Sequence, residues 1–193
     1  NPNVPINTVK ELIAAARAKP GSLNYASTGN GTSNHLSFEL FKSMTGTQVT
    51  PVPYKGSAPA VTDLIAGQVQ LMFDNTPNVL PHVKAGKLKA IAVSSKKRST
   101  MAPDVPTVDE AGLPGYEVSP WYGLVAPAGT PKEIIARLNT EMVKIMRSPE
   151  VVDRFTKAGV DTVASSSEEF SVFLKSEVAR WAKVVKDANI KAD

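Results

Sequence analysis

The sequence contains no cysteine. That excludes disulfides, thiolate nucleophiles and cysteine-based zinc sites, and it leaves the redox compartment undetermined. Only two histidines occur, His35 and His82; they are far apart in sequence, so no metal site is expected. No run of about 18 apolar residues is present, so no segment reads as a membrane span. A Gly-x-Ser-x-Gly elbow and a Gly-Lys-Ser/Thr phosphate loop are both missing, which argues against hydrolase and nucleotide-binding sites of those types. Positive charge is absent locally as well: no Lys or Arg lies between Pro20 and Lys42.

What is present points to a globular α/β chain. The 193 residues, 42% hydrophobic, suffice for one sizeable core or two small ones. Lys and Arg total 22 against 18 Asp and Glu, a net charge of +4. The basic residues are dispersed or confined to short runs such as Ser95 to Ser99, which reads as a solvated loop, and no nucleic-acid partner is expected. The chain opens Asn-Pro-Asn-Val-Pro, without an initiator Met or a signal-peptide pattern, and a processed or truncated start is the expectation.

Helix and strand signals alternate along the first half. Thr8 to Glu11 forms a capping-box pattern ahead of a helix, and a strand is predicted near Leu23 to Ala26. A helix through Leu36, Phe38, Leu40, Phe41 and Met44 follows, then an extended run from Val49 to Pro53. A helix beginning at Ser57, a strand over Val69 to Phe73, a helix opened by Thr76-Pro77 and a strand over Leu88 to Val93 complete the series. Such alternation predicts a mainly parallel sheet with helices on its faces.

Residues 96 to 120 are punctuated by Pro103, Pro106, Pro114 and Pro120 and read as a crossover. Beyond them a strand is predicted at Tyr122 to Ala126, and another near Val160 to Val163. A capping box at Thr130 to Glu133 precedes helices at about 131 to 147, 149 to 158 and 167 to 188. Trp121 and Tyr122 are expected in core packing, and Trp181 as an amphipathic helix anchor. Three helices with so few strands cannot cover their apolar faces, so sequence upstream or another chain is expected to complete that part.

The segment Asn24 to His35 stands out. Gly29 and Gly31 permit a tight turn, while Ser27, Thr28, Thr32 and the first amides of the next helix can donate to one negative group. An anion held by hydroxyls, amides and a helix dipole, without a cation, suits a small carboxylate better than a polyphosphate. Two further loops share the same rim of the sheet: Tyr54-Lys55-Gly-Ser57 and Asp74-Asn-Thr76. Each residue has a plainer reading, Thr32 or Ser33 as an N-cap, Asp74 as a helix start, Lys55 as a solvated cation, His35 as a structural residue. Ser27, Ser33, His35 and Asp74 could in principle assemble a hydrolytic triad, but a serine and a histidine two residues apart on one helix do not face each other. Asn34 stands where a dinucleotide fingerprint requires glycine or alanine.

Five ordered motifs resemble the Bug (TctC-like) family of extracytoplasmic solute receptors of tripartite tricarboxylate transporters. They are Leu23-Asn-Tyr-Ala-Ser-Thr-Gly-Asn-Gly-Thr-Ser-Asn-His35, Val52-Pro-Tyr-Lys-Gly-Ser-Ala-Pro59, Gly67-Gln-Val-Gln-Leu-Met-Phe-Asp74, Pro103-Asp-Val-Pro-Thr-Val108 and Trp121-Tyr-Gly-Leu-Val-Ala-Pro-Ala-Gly-Thr-Pro131. The resemblance implies a type II periplasmic-binding-protein-like α/β fold, with one complete lobe over residues 1–118, its crossover starting near 96, and returning elements of an incomplete first lobe over 119–193. It implies a periplasmic receptor, not an enzyme and without a cofactor, that captures a small organic carboxylate (a di- or tricarboxylate, amino acid or aromatic acid) and presents it to membrane permease subunits. The loop Ser27, Thr28, Gly29, Asn30, Gly31 and Thr32 would hold the proximal carboxylate, Asp74 would influence which solutes fit, and Tyr54 and Lys55 match a further motif. Family members are longer and begin with a first-lobe strand and loop that this chain does not contain, so it resembles a fragment. The alternatives are a non-binding folded remnant, a dimer formed by exchange of sheet elements, and a carboxylic-ester hydrolase.

Overall fold

The computed structural model describes residues 1–190. Its element order is α1 (Val9–Ala18), β1 (Asn24–Ser27), α2 (Ser33–Thr45), β2 (Thr50–Pro53), α3 (Ser57–Ala66), β3 (Leu71–Met72), α4 (Thr76–Lys84), α5 (Lys132–Met146), α6 (Pro149–Lys157) and α7 (Ser167–Asp187). The chain divides into two compact units, one of Asn1–Pro120 together with the chain from Lys183 onward, the other of Trp121–Ala182.

In the first unit, β1 is the centre of a three-stranded sheet of order β2-β1-β3. Both pairings are parallel, with Tyr25 opposite Pro51 on one side and Leu71 on the other. Alternation along β1 sends Tyr25 and Ser27 to one face and Ala26 to the other. The Tyr25 ring stacks on Phe38 of α2 at 4.1 Å, and Phe38 meets Phe73 at 4.7 Å. Ala26 belongs to an apolar cluster with Ala60, Val61 and Leu64 of α3, against which Val79 and Val83 of α4 pack. Helices therefore cover both faces, the arrangement a parallel sheet requires to bury its side chains.

Local signals set the helix boundaries. Thr8 Oγ1 accepts from the Glu11 amide at 3.1 Å, and the Glu11 carboxylate reaches back to the Asn7 amide at 2.6 Å. This is the predicted capping box with its return bond one residue earlier. Gly46 closes α2 at φ 65° and Gly67 closes α3 at φ 82°, conformations that only glycine adopts without strain.

Several expectations fail. The strand predicted over Val69 to Phe73 is reduced to Leu71–Met72, and Leu88 to Val93 forms no strand, only a bridge from Val93 to Thr107. There Leu88 is buried in the apolar cluster while the 107–118 segment takes the hydrogen bonds: Val108 N donates to Val93 O, and Val118 N to Ser94 O. Lys96, Lys97 and Arg98 are exposed as expected, and Arg98 pairs with Glu110 at 2.8 Å.

The second unit contains α5, α6 and most of α7 and, among the described residues, no strand. Residues 122–126 are irregular, with Tyr122 81%, Leu124 74% and Val125 80% exposed. Among the described residues this apolar segment has no neighbouring strand to pair with, and pairing is what makes a strand. Residues 160–163 are irregular for the same reason. At α5, Thr130 Oγ1 turns back to Pro127 O at 2.8 Å and Pro131 is the cap residue, so the second capping box does not form. Trp121 is partly exposed and packs edge-on against Phe170 and Phe173. It donates to Glu177 Oε2 at 3.1 Å, and Trp181 donates to the same oxygen at 3.0 Å.

Candidate functional site

β1 and β3 are neighbours, yet the chain leaves them toward opposite faces of the sheet, β1 into α2 and β3 into α4. Loops that diverge from adjacent parallel strands open a crevice at the strands' carboxyl ends. The Ser27 to Thr32 loop and the Phe73 to Asn75 loop follow these two neighbouring strands.

Ser27 ends β1 on the α2 side and is 1% exposed. Its Oγ is the only buried side-chain N or O atom among the described residues that lacks a hydrogen-bond partner. An orphaned buried hydroxyl costs free energy unless something satisfies it. Gly29 and Gly31 take φ 131° and φ 71°, and a Cβ at Gly31 would meet nothing within 4 Å, so glycine is required there by backbone conformation and not by crowding. The first turn of α2 has no side-chain cap: Thr32, its N-cap residue, instead donates its hydroxyl to Gly29 O at 2.8 Å. Thr28 Oγ1 lies 3.2 Å from Thr32 Oγ1 and 2.9 Å from Asn34 Oδ1.

Asn34 joins the two loops. Its Nδ2 donates to Phe73 O at 2.6 Å and approaches Asp74 Oδ1 at 3.5 Å. The Asp74 carboxylate also accepts from its neighbour's amide, Asn75 N at 2.7 Å, from Asn78 Nδ2 at 3.3 Å, and from the Ser57 hydroxyl. Asp74 thus sits in a cage of donors at the start of α4.

Behind the loop, His35 is buried, and its Nδ1 accepts from Gly31 N at 3.1 Å while Nε2 faces Glu39 Oε1 at 3.6 Å. The same carboxylate oxygen accepts from Tyr25 Oη at 2.8 Å and Lys42 Nζ at 2.7 Å. Burial pushes the Glu39 carboxyl up, but hydrogen bonds from His35, Lys42 and Tyr25 outweigh it and hold it down at about 2. Burial and the Glu39 carboxylate push the Tyr25 phenol well above its ordinary range. The structural reading of His35 is the one observed: both ring nitrogens face groups other than serine hydroxyls, and Asp74 is engaged with Ser57, so the residues weighed as a triad are not assembled.

The structure therefore sets Ser27, Thr28, Gly29, Gly31 and Thr32 on one loop and Asp74 on the neighbouring one, bridged by the Asn34 carboxamide, with Asn30 exposed at the tip of the first loop. Tyr54 is tied to the cradle by its backbone, N to Ser27 O at 2.9 Å, but its hydroxyl turns to Asp63 on α3 at 2.8 Å. Lys55 is exposed. Ser57 lies in a loop expected on this rim, whereas Asn34 and Asn78, which also contact Asp74, were not among the expected site residues. Asn34 and Asn78 each stand in the first turn of a helix that follows a strand, and a carboxamide in that position was the available signal.

The chain matches the tripartite tricarboxylate transporter family receptor (TctC) over residues 1–190. It is 39% identical over 191 residues to protein BugT of Bordetella pertussis, covering 99% of this chain and 59% of BugT. Among solved structures it is similar to R. palustris Rpa4515 with adipate, at 40% identity and a TM-score of 0.86, covering 97% of this chain and 63% of that one. It is also similar to MatC (Rpa3494) from Rhodopseudomonas palustris with bound malate, at 33% identity and a TM-score of 0.82, covering 95% and 64%. The chain spans less than two thirds of each of these proteins. It is similar as well to the periplasmic binding protein BugD, at 33% identity and a TM-score of 0.83, covering 100% of this chain and 65% of that one, and its α/β domain with a parallel sheet is one lobe-like domain of that fold. The motifs around Ser27, Tyr54 and Asp74, the parallel sheet beneath them and these likenesses agree: the chain belongs to the tripartite tricarboxylate transporter receptor family, a family of solute-binding proteins and not of enzymes.

Proposed function

We propose that this chain carries one wall of the solute site of a periplasmic receptor that captures a small organic carboxylate and presents it to the permease subunits of a tripartite tricarboxylate-type transporter. The observation that carries the reading is the orphaned Ser27 hydroxyl beside the uncapped first turn of α2. A carboxylate oxygen is the group that satisfies both, since it accepts from the hydroxyl and from backbone amides and is favoured by the helix dipole. Relatives solved with adipate and malate support that ligand class. In the whole receptor, solute touching two lobes stabilises a closed form by its differential affinity for that form.

Isothermal titration calorimetry of the chain with malate and with adipate tests this. Binding that Ser27→Ala weakens by about tenfold, the loss of one charge-assisted hydrogen bond, is the expected outcome. No heat with any small carboxylate at millimolar concentration sinks the reading.

A second reading, self-association, is favoured by the exposed apolar row Tyr122, Leu124 and Val125. Light scattering that finds a monomer at all concentrations rejects it.

A further inference from the structure

The imidazole behind the glycine loop is placed as a base. Gly31 N donates to His35 Nδ1 at 3.1 Å, and His35 Nε2 faces Glu39 Oε1 at 3.6 Å. A neutral imidazole carries one N–H proton. Because Nδ1 accepts, that proton sits on Nε2, toward the carboxylate, and the lone pair of the ring is aimed at a single backbone N–H. The Glu39 carboxyl, which burial pushes up and its hydrogen bonds hold down at about 2, is ionised at neutral pH. A weak nucleophile, a base within hydrogen-bond reach of it and a third group that orients the base form the constellation that activates nucleophiles. Here the Gly31 amide nitrogen stands in the nucleophile's place. The residue before it is Asn30, the only asparagine of the sequence that precedes a glycine. Asn30 and Gly31 are both exposed to water, and a Cβ at Gly31 would meet nothing within 4 Å, so the space beside that nitrogen is open.

We propose that Asn30-Gly31 is a self-modifying site, at which His35 draws the proton from Gly31 N and the carboxamide nitrogen of Asn30 is lost as ammonia. The Gly31 nitrogen bonds to Asn30 Cγ, the Cγ–Nδ2 bond breaks, and ammonia leaves with the proton that His35 took. Water then opens the five-membered succinimide at either carbonyl, giving aspartate at position 30 or its β-linked isomer. The balance is asparagine plus water to aspartate or isoaspartate plus ammonia, with no change of oxidation state and no co-reactant but water. This chemistry does not depend on the carboxylate reading above, whereas its consequence rests on it. The product adds a negative charge to the Ser27 to Thr32 loop, in a stretch where no Lys or Arg lies between Pro20 and Lys42, and so opposes an anion there.

The test is peptide-mapping mass spectrometry of the full chain held at neutral pH, reading the rate of Asn30 conversion in the folded chain, in the same chain unfolded in guanidinium chloride, and in variants. Conversion is expected to be about tenfold faster in the folded chain, a small part of the roughly 10²–10⁴-fold that a positioned general base can supply. His35→Gln should bring the folded rate down to the unfolded one, Glu39→Gln should lower it by less, and Asn30→Gln should leave that peptide unmodified. The unfolded wild type decides the matter if His35→Gln does not fold. A folded chain that converts no faster than the unfolded one, or a folded His35→Gln chain that converts as fast as the wild type, overturns the inference. Calorimetry with malate separates it from the carboxylate reading. Weaker binding by the converted chain than by the unconverted one supports the consequence, and equal binding overturns it. An unconverted chain that does not bind counts against the carboxylate reading and leaves the modification site standing.

Discussion

Gly31 donates its backbone N–H to Nδ1 of His35 across one turn of chain, at 3.1 Å. This bond ties the mobile conformational type, a glycine at φ 71°, to a buried ring that stacks against Tyr25 and faces Glu39. The glycine loop is thereby anchored to the core of the first unit.

His35→Leu removes that acceptor and one of the groups around the buried Glu39 carboxylate. The expected cost is about 1–3 kcal/mol, the range for leaving buried polar groups unsatisfied. Urea denaturation followed by circular dichroism measures it, and an unchanged midpoint contradicts the anchoring role.

Gly31→Ala is expected to be milder. An added Cβ has open space around it, so the cost is only that of holding an L-residue in the left-handed region, about 1 kcal/mol. The same denaturation experiment checks it; a loss several times larger would mean that the space is not open.

Acid should weaken the fold through Glu39. Its carboxyl is held at about 2 in the folded chain against an ordinary value of 4.5. A depressed carboxyl stabilises the fold fully above the ordinary value, and the contribution is lost as pH falls from about 4.5 to about 2. The shift corresponds to about 3 kcal/mol. Stability curves for the wild type and Glu39→Gln should differ in slope in that window and run parallel above it. Parallel curves throughout would reject the assignment.

Gly123→Ala should destabilise the second unit. A Cβ there collides with the Phe170 ring, and Phe170 in turn packs on Trp121 and Phe173. Overpacking of this kind costs about 1–3 kcal/mol. Both tryptophans of the chain, Trp121 and Trp181, lie in this unit, so thermal unfolding followed by tryptophan fluorescence reports on it. A midpoint equal to the wild type's would show that Phe170 moves aside freely.

Glu177→Leu removes the one oxygen to which both indole N–H groups donate. A shift of the tryptophan emission maximum in the native state is expected, with the far-ultraviolet circular dichroism retained. An unchanged spectrum would show that the two bonds are not kept in solution.

Much of the architecture was legible in the chain itself. Capping residues, glycine stops and proline starts are local devices, and Thr8, Gly46, Gly67 and Pro149 place helix ends without reference to anything distant. The alternation of helix and strand signals up to β3 likewise follows from periodicity. The strands predicted at 88–93 and 122–126 fail for the opposite reason. A strand exists only through its partner, and an apolar run with Tyr122, Leu124 and Val125 cannot report whether a partner is present.

The sequence by itself determined the ingredients of the candidate site: a glycine-hydroxyl loop after a strand, a carboxylate after a neighbouring strand, and no cation between Pro20 and Lys42 to answer a polyphosphate. Only the tertiary structure decided which of those groups can donate. The proton directions of Thr28 and Thr32, the cage around Asp74 and the turning of the Tyr54 hydroxyl to Asp63 all depend on contacts made after folding, several of them between residues far apart in sequence. A hydroxyl's chemistry is ambiguous in sequence because it can give or accept a hydrogen bond, and its neighbours in space settle which.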